Sequence, residues 1–94
     1  MLSEEKARII EERIYTIPFR IAFQVPRPKR VPRAIRFLRS FIERHMKAER
    51  VWISPEVNEA IWSRGKKKPP RRIRVRAVKE ENGTVKVYLA EKEE

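Results

Sequence analysis

Between Arg72 and Val78 the chain reads R-I-R-V-R-A-V, a strict alternation of arginine with an apolar residue. A period of two puts Ile73, Val75 and Ala77 on one side of an extended segment and Arg72, Arg74 and Arg76 on the other. Such a strand requires a sheet with one covered face and one face left to water or to a charged partner. Glu81-Asn82-Gly83 follows with the Asn-Gly pair of a tight hairpin. Thr84 to Ala90 then returns with Val85, Val87 and Leu89 on a single face. A C-terminal hairpin of this kind needs a second layer laid on its apolar side.

Two one-sided helices are available to supply that layer. Pro32 sits where a first helical residue belongs, and a helix is predicted from there to about Lys47. Val31, Ala34, Ile35, Phe37, Leu38, Phe41, Ile42 and Met46 form its apolar arc, opposite Arg33, Arg36, Arg39, Arg44 and Lys47. A second helix is announced by Ser54-Pro55-Glu56, with serine as N-cap, proline at the first position and a carboxylate in the first turn. It is predicted to end near Arg64, with Gly65 as a left-handed cap and Val57, Ala60 and Ile61 on one face. Strands are also expected at Arg13–Ile21, where Tyr15, Ile17, Phe19 and Ile21 alternate, and at residues 49–54. Pro18 lacks a donor, so the first strand must lie at an edge or stop there.

The order β-α-β-α-β-β gives an α+β fold, a single two-layer domain with a mixed sheet and a C-terminal hairpin. The pattern leaves the strand order open. Residues 1–10 read as a mobile N-terminal extension, 11–90 as one α+β domain and 91–94 as an acidic tail. A chain of 94 residues supports one modest core. No stretch approaches the ~18 consecutive apolar residues of a membrane span. The N-terminus lacks the apolar stretch and small-residue cleavage site of a signal peptide, so a cytoplasmic protein is expected.

Charge narrows the function. Residues 13–79 hold 20 cations and only 4 glutamates, whereas both flanks carry more acidic than basic side chains. Arginine outnumbers lysine 15 to 9, and its planar fork suits phosphate oxygens and base faces. This distribution is the footprint of a polyanion binder. Two proline-stiffened basic segments stand out. The first, 24–33, carries Arg27, Lys29, Arg30 and Arg33; the second, 64–72, carries Arg64, Lys66, Lys67, Lys68, Arg71 and Arg72. With Arg36 on the first helix and Arg72, Arg74 and Arg76 on the strand, these are the candidate RNA-binding residues. Like charges in a row repel, and an ordinary solvated strand face mixes signs.

Trp62 falls off the apolar stripe of the second helix, with Asn58 one turn before it. Both are candidates for base stacking or protein docking, although a tryptophan folded over the flank of a small core explains the position equally well. Trp52 is expected to pack against its own domain. His45, the one histidine, falls within the apolar arc of the first helix and reads as a partly buried residue bonded to a terminal carbonyl. With no cysteine and no aspartate, no metal set is visible. The four glutamates of the body and the two glycines of the chain supply neither paired carboxylates nor a phosphate cradle. No enzyme and no cofactor are expected. Charge alone would equally permit a DNA-compacting chromatin protein, or a basic protein-docking module for acidic partners.

Specific strings go further. E-R-I-Y-T-I-P-F-R, P-R-A-I-R-F-L-R-S-F-I-E-R-H-M-K-A and P-E-V-N-E-A-I-W-S-R-G, followed by K-P-P-R-R-I-R-V-R, together resemble the eukaryote-type large-subunit ribosomal protein family numbered thirty-one. The likeness covers roughly residues 11–90, and the compact, arginine-rich chain looks like an archaeal member. The resemblance implies a one-domain α+β protein that binds large-subunit ribosomal RNA beside other ribosomal proteins. It also implies a position near the nascent-chain exit, where factors acting on emerging chains dock. Arg64, Arg71, Arg72, Arg74 and Arg76 match the family's basic motifs.

Overall fold

The computed structural model describes residues 8–65 and 68–90. Four strands, β1 (Ile9–Pro18), β2 (Arg50–Ile53), β3 (Arg72–Glu80) and β4 (Thr84–Leu89), form one sheet in the order β1-β3-β4-β2. Strand β1 is antiparallel to β3, β3 antiparallel to β4, and β2 parallel to β4, so the sheet is mixed as expected. Two helices, α1 (Arg30–Met46) and α2 (Pro55–Trp62), cover one face.

Each element follows from local chemistry. Strand β1 is an edge strand and also stops at Pro18, so both options left by the missing donor are realised. It begins at Ile9 rather than Arg13, which corrects the boundary of the expected extension: Ile9 lies opposite Glu80, with an irregularity before Glu11. The rest of that extension, residues 1–7, and the acidic tail at 91–94 lie outside the described residues. Phe19 and Ile21, expected to continue the strand, do not. The Phe19 amide donates to the Arg71 carbonyl at 2.8 Å, and the chain then coils into a 3₁₀ turn over Arg20–Gln24.

A second 3₁₀ turn, Arg27–Lys29, leads straight into α1, which starts two residues before Pro32. Amides of a first helical turn have no intrahelical acceptor, so proline costs nothing at the third position either. Arg30 and Arg33 are therefore helical residues, not loop residues. At the far end Lys47 adopts the left-handed conformation, φ 52°, and closes the helix. In α2, Ser54 Oγ accepts from the Val57 amide at 3.3 Å, as its N-cap position predicts. That helix ends at Trp62, and the Gly65 amide donates to the Trp62 carbonyl at 2.8 Å with φ +85°.

The hairpin turn is built as the Asn-Gly pair requires. Gly83, at φ +92°, donates to the Glu80 carbonyl at 3.0 Å, and Asn82 Oδ1 accepts from the Thr84 amide at 3.0 Å. The Gly83 carbonyl then accepts from the Glu49 amide at 2.9 Å, so the same turn anchors the entry to β2. The short outer edge of β2 is occupied by Arg39, whose Nη1 donates to the Val51 carbonyl at 2.7 Å.

The core lies between the layers. Ile17, Ile73, Val75, Ala77, Val85 and Val87 from the sheet meet Val31, Ala34, Leu38 and Ile42 of α1 and Val57 and Ile61 of α2. Tyr15 meets Phe41 edge-on at 5.4 Å, and its hydroxyl reaches Met46 Sδ at 3.3 Å. Leu38 is fully buried on α1. Leu38→Ala should lower stability by about 2–5 kcal/mol, seen as a reduced urea midpoint with an unchanged m-value.

Candidate nucleic-acid interface

The register of β1 on β3 sorts the charges of the sheet. Ile9 lies opposite Glu80 and Pro18 opposite Arg72, so the acidic start of β1 meets the acidic end of β3. The three described ion pairs all sit toward that end: Arg13–Glu11 at 2.8 Å, Arg76–Glu12 at 3.1 Å and Lys86–Glu80 at 3.1 Å. The opposite end of the ladder is arginine-rich. There Pro18, Arg20, Phe23, Arg71 and Arg72 line a cleft of about 220 Å³ with three arginines and, among the described residues, no acidic side chain in its wall.

Phe23 organises this cleft. The Arg30 guanidinium lies 5.2 Å from its ring centroid and that of Arg71 lies 6.0 Å away. Arg30 is fixed in turn by the Val25 carbonyl at 3.2 Å and the Phe23 carbonyl at 3.5 Å. Three separate stretches, the 3₁₀ turn, the first turn of α1 and the start of β3, thus present cations around one aromatic ring. The Phe19–Arg71 backbone hydrogen bond clamps them together.

Of the residues singled out in the sequence, Arg71 and Arg72 lie in the cleft, with Arg30 behind Phe23. Arg72 and Arg74 also line a groove that Ser63 and Pro70 close at the end of α2, which brings neighbouring Arg64 to the same end of the sheet. Arg27 and Lys29 are exposed on the turn just before Arg30, and Arg33 is half-buried in α1. Lys68 is exposed; Lys66 and Lys67 lie outside the described residues. Two residues stand apart. Arg36 projects from the outer side of α1, and Arg76 lies farther along the sheet, held by Glu12.

Arg20 and Phe23 were not singled out from the sequence. The R-I-A-F-Q string continues the strand's period of two, and only the 3₁₀ turn that it forms instead brings it beside Arg71. A charge-only reading could have included Arg20; nothing local marked Phe23.

The aromatic and histidine expectations divide. Trp62 is 38% exposed on α2, as an off-stripe position requires, with Asn58 exposed one turn before it. Trp52 packs against Tyr88 of its own domain with ring centroids 5.9 Å apart, yet stays 45% exposed on the sheet surface. His45 is exposed rather than partly buried. Its Nδ1 faces the Phe41 carbonyl at 2.9 Å and its ring stacks on Phe41 at 3.9 Å, one turn back along the helix. Among the described residues no group of three or more histidine or carboxylate side chains is placed to hold a metal ion.

The family model described as ribosomal protein L31e matches residues 10–87. The chain is 61% identical over 85 residues to the large ribosomal subunit protein eL31 of Methanopyrus kandleri, covering 90% of this chain and 99% of that one. It is 57% identical over 75 residues to the protein of the same name from Methanocaldococcus jannaschii, covering 79% and 86%. The counterpart from Methanothermobacter thermautotrophicus is 49% identical over 80 residues, covering 85% and 99%.

Arg20 and Arg71 are exposed and neither belongs to the core. Replacing both by alanine should shift stability by no more than about 0.5–1 kcal/mol, the range of an exposed cation–π contact. Urea titration of the double variant beside the unaltered chain measures this.

Proposed function

This chain belongs to the ribosomal protein L31e family, in its archaeal form, and on that premise we propose that its arginine-rich end is a docking site for large-subunit ribosomal RNA. The protein is a structural component of the large ribosomal subunit and works in the cytoplasm as part of the ribosome, not as an enzyme. The observation that carries the RNA assignment is the cleft between Arg20, Arg71 and Arg72, whose wall holds three cations and, among the described residues, no acid. Guanidinium groups held that close repel one another in the free protein, and a phosphate between them relieves the repulsion. Arginine in place of lysine adds bidentate hydrogen bonding to phosphate oxygens.

The mechanism is neutralisation of phosphates with release of their condensed counterions. Arg72, shared by the cleft and the groove beside Ser63, continues the contact onto Arg74 on the open sheet face. Arg27, Lys29 and Lys68 extend it from the flanking turns and Arg33 from the first turn of α1, together with Lys66 and Lys67 in sequence. Such contacts fix the protein on the shape of a folded RNA and read little of its sequence. Neighbouring ribosomal proteins are partners in the same reading. Family likeness alone supports a position near the nascent-chain exit, with docking of factors there.

Arg71→Ala/Arg72→Ala should weaken binding to protein-free archaeal large-subunit RNA and flatten the dependence of log K on log salt by roughly 1.5–2. Filter binding across a salt series reads both quantities. Unchanged affinity and slope would refute the cleft as a phosphate site. Tighter binding to duplex DNA than to the ribosomal RNA in direct competition would favour the chromatin-protein reading instead.

A further inference from the structure

The face of the sheet turned away from the helices is not an ordinary solvated surface. The register puts Trp52 of β2 and Arg50 on this face, with Lys86 and Tyr88 of β4 and Arg72, Arg74 and Arg76 of β3. Trp52 and Tyr88 meet at 5.9 Å, and the Arg76 guanidinium lies 5.1 Å from the Tyr88 centroid. Trp52, Tyr88 and Arg76 therefore form one continuous strip across three strands. Its two glutamates, Glu12 and Glu80, are each engaged by a cation of the same face, so the charge left over is positive.

We propose that this strip is a stacking platform for an unpaired RNA base, separate from the phosphate cleft at the end of the sheet. The inference rests on the RNA-binding reading above and names a second mode of contact within it. A tryptophan 45% exposed in the middle of a structured strand presents much of its indole to a partner at little entropic cost. Arg76, pinned by Glu12 at 3.1 Å, is a flat cation held in place, and arginine planes and aromatic rings are the two surfaces on which splayed bases stack. Arg50, two residues before Trp52 and on the same face of β2, supplies positive charge for a flanking phosphate. An apolar protein side chain would use the rings but would leave the charge of Arg50 unmatched, so a nucleotide is the better-matched occupant.

The test uses full-length protein carrying Trp62→Phe, in which Trp52 is the only tryptophan. Titration with an oligouridylate of about ten nucleotides should quench its emission, because a stacked base lies against the indole. Trp52→Leu should weaken binding of that oligonucleotide roughly 5- to 150-fold at unchanged salt slope, since stacking displaces no counterions. Trp52→Phe, which retains an aromatic face, should recover most of the loss. Saturation by the oligonucleotide without quenching would overturn the proposal, and so would a Trp52→Leu variant of normal affinity. If the leucine variant fails to fold, quenching in the Trp62→Phe protein decides alone. Failure of the unaltered protein to bind any RNA would refute both readings; RNA binding with a silent Trp52 refutes only this one.

Discussion

The antiparallel pairing of β1 with β3 is the constraint on which the rest of the molecule depends. It joins residues some sixty positions apart, from Ile9 opposite Glu80 to Pro18 opposite Arg72, and makes β3 an interior strand. An interior strand must be apolar on its helix side, which Ile73, Val75 and Ala77 satisfy, while its other side is free to carry arginines. The same pairing ends in the Phe19–Arg71 hydrogen bond, which fixes where the chain leaves the sheet and hence where Arg20 and Phe23 stand. A slip of one residue would turn the isoleucines outward and the arginines into the core, so register and function are set together.

Because the pairing is antiparallel, it also converts a linear charge pattern into a spatial one. Glu11 and Glu12 enter the sheet beside Glu80, and their carboxylates are consumed by Arg13, Arg76 and Lys86. Arg71 and Arg72 emerge at the other end, where no described carboxylate is placed to pair with them. Exposed ion pairs contribute at most about 1 kcal/mol each, so the acidic end is not there chiefly for stability. Its effect is to gather the acidic side chains of β1 and β3 at one end of their ladder, away from Arg71 and Arg72. Long arginine side chains permit this at modest cost. Arg74 and Arg76 are half-buried, and an arginine's apolar stem can cover a sheet surface while its charged head stays solvated.

The fold was legible in the sequence wherever a pattern was local. The alternation at Arg72–Val78, the Asn-Gly turn, the Ser-Pro-Glu helix start and the one-sided α1 each set an element without reference to any other. Strand order was not legible, because four amphipathic strands under two helices satisfy the same periodicities in several arrangements. The residues after Pro18 were misread for a related reason. Phe19 and Ile21 keep the period of two, yet the backbone turns at Phe19 to bond Arg71, a tertiary contact that outweighs local preference. Trp52 shows the same limit from the other side: the pattern put it opposite Val51 and Ile53, but only the sheet reveals that nothing is layered over that side. Arg71 and Arg72 were legible by composition, whereas Phe23, which holds Arg30 and Arg71 around one ring, carried no local signal.

The placement of the remaining cations bears on the kind of partner the molecule suits. Arg36 projects from the outer side of α1 and Arg76 from the open face of the sheet, on opposite sides of a two-layer domain whose layers lie roughly 10 Å apart. A single straight duplex touches one side of such a body and leaves the other cations in water. A chromatin-type partner would therefore use only part of the charge this chain carries. A folded RNA can offer one helix to the arginine cleft, an unpaired strand to the sheet face and further phosphates toward α1. The dispersion of arginines over two faces thus favours an irregular polyanion that encloses the protein over a regular one that runs past it.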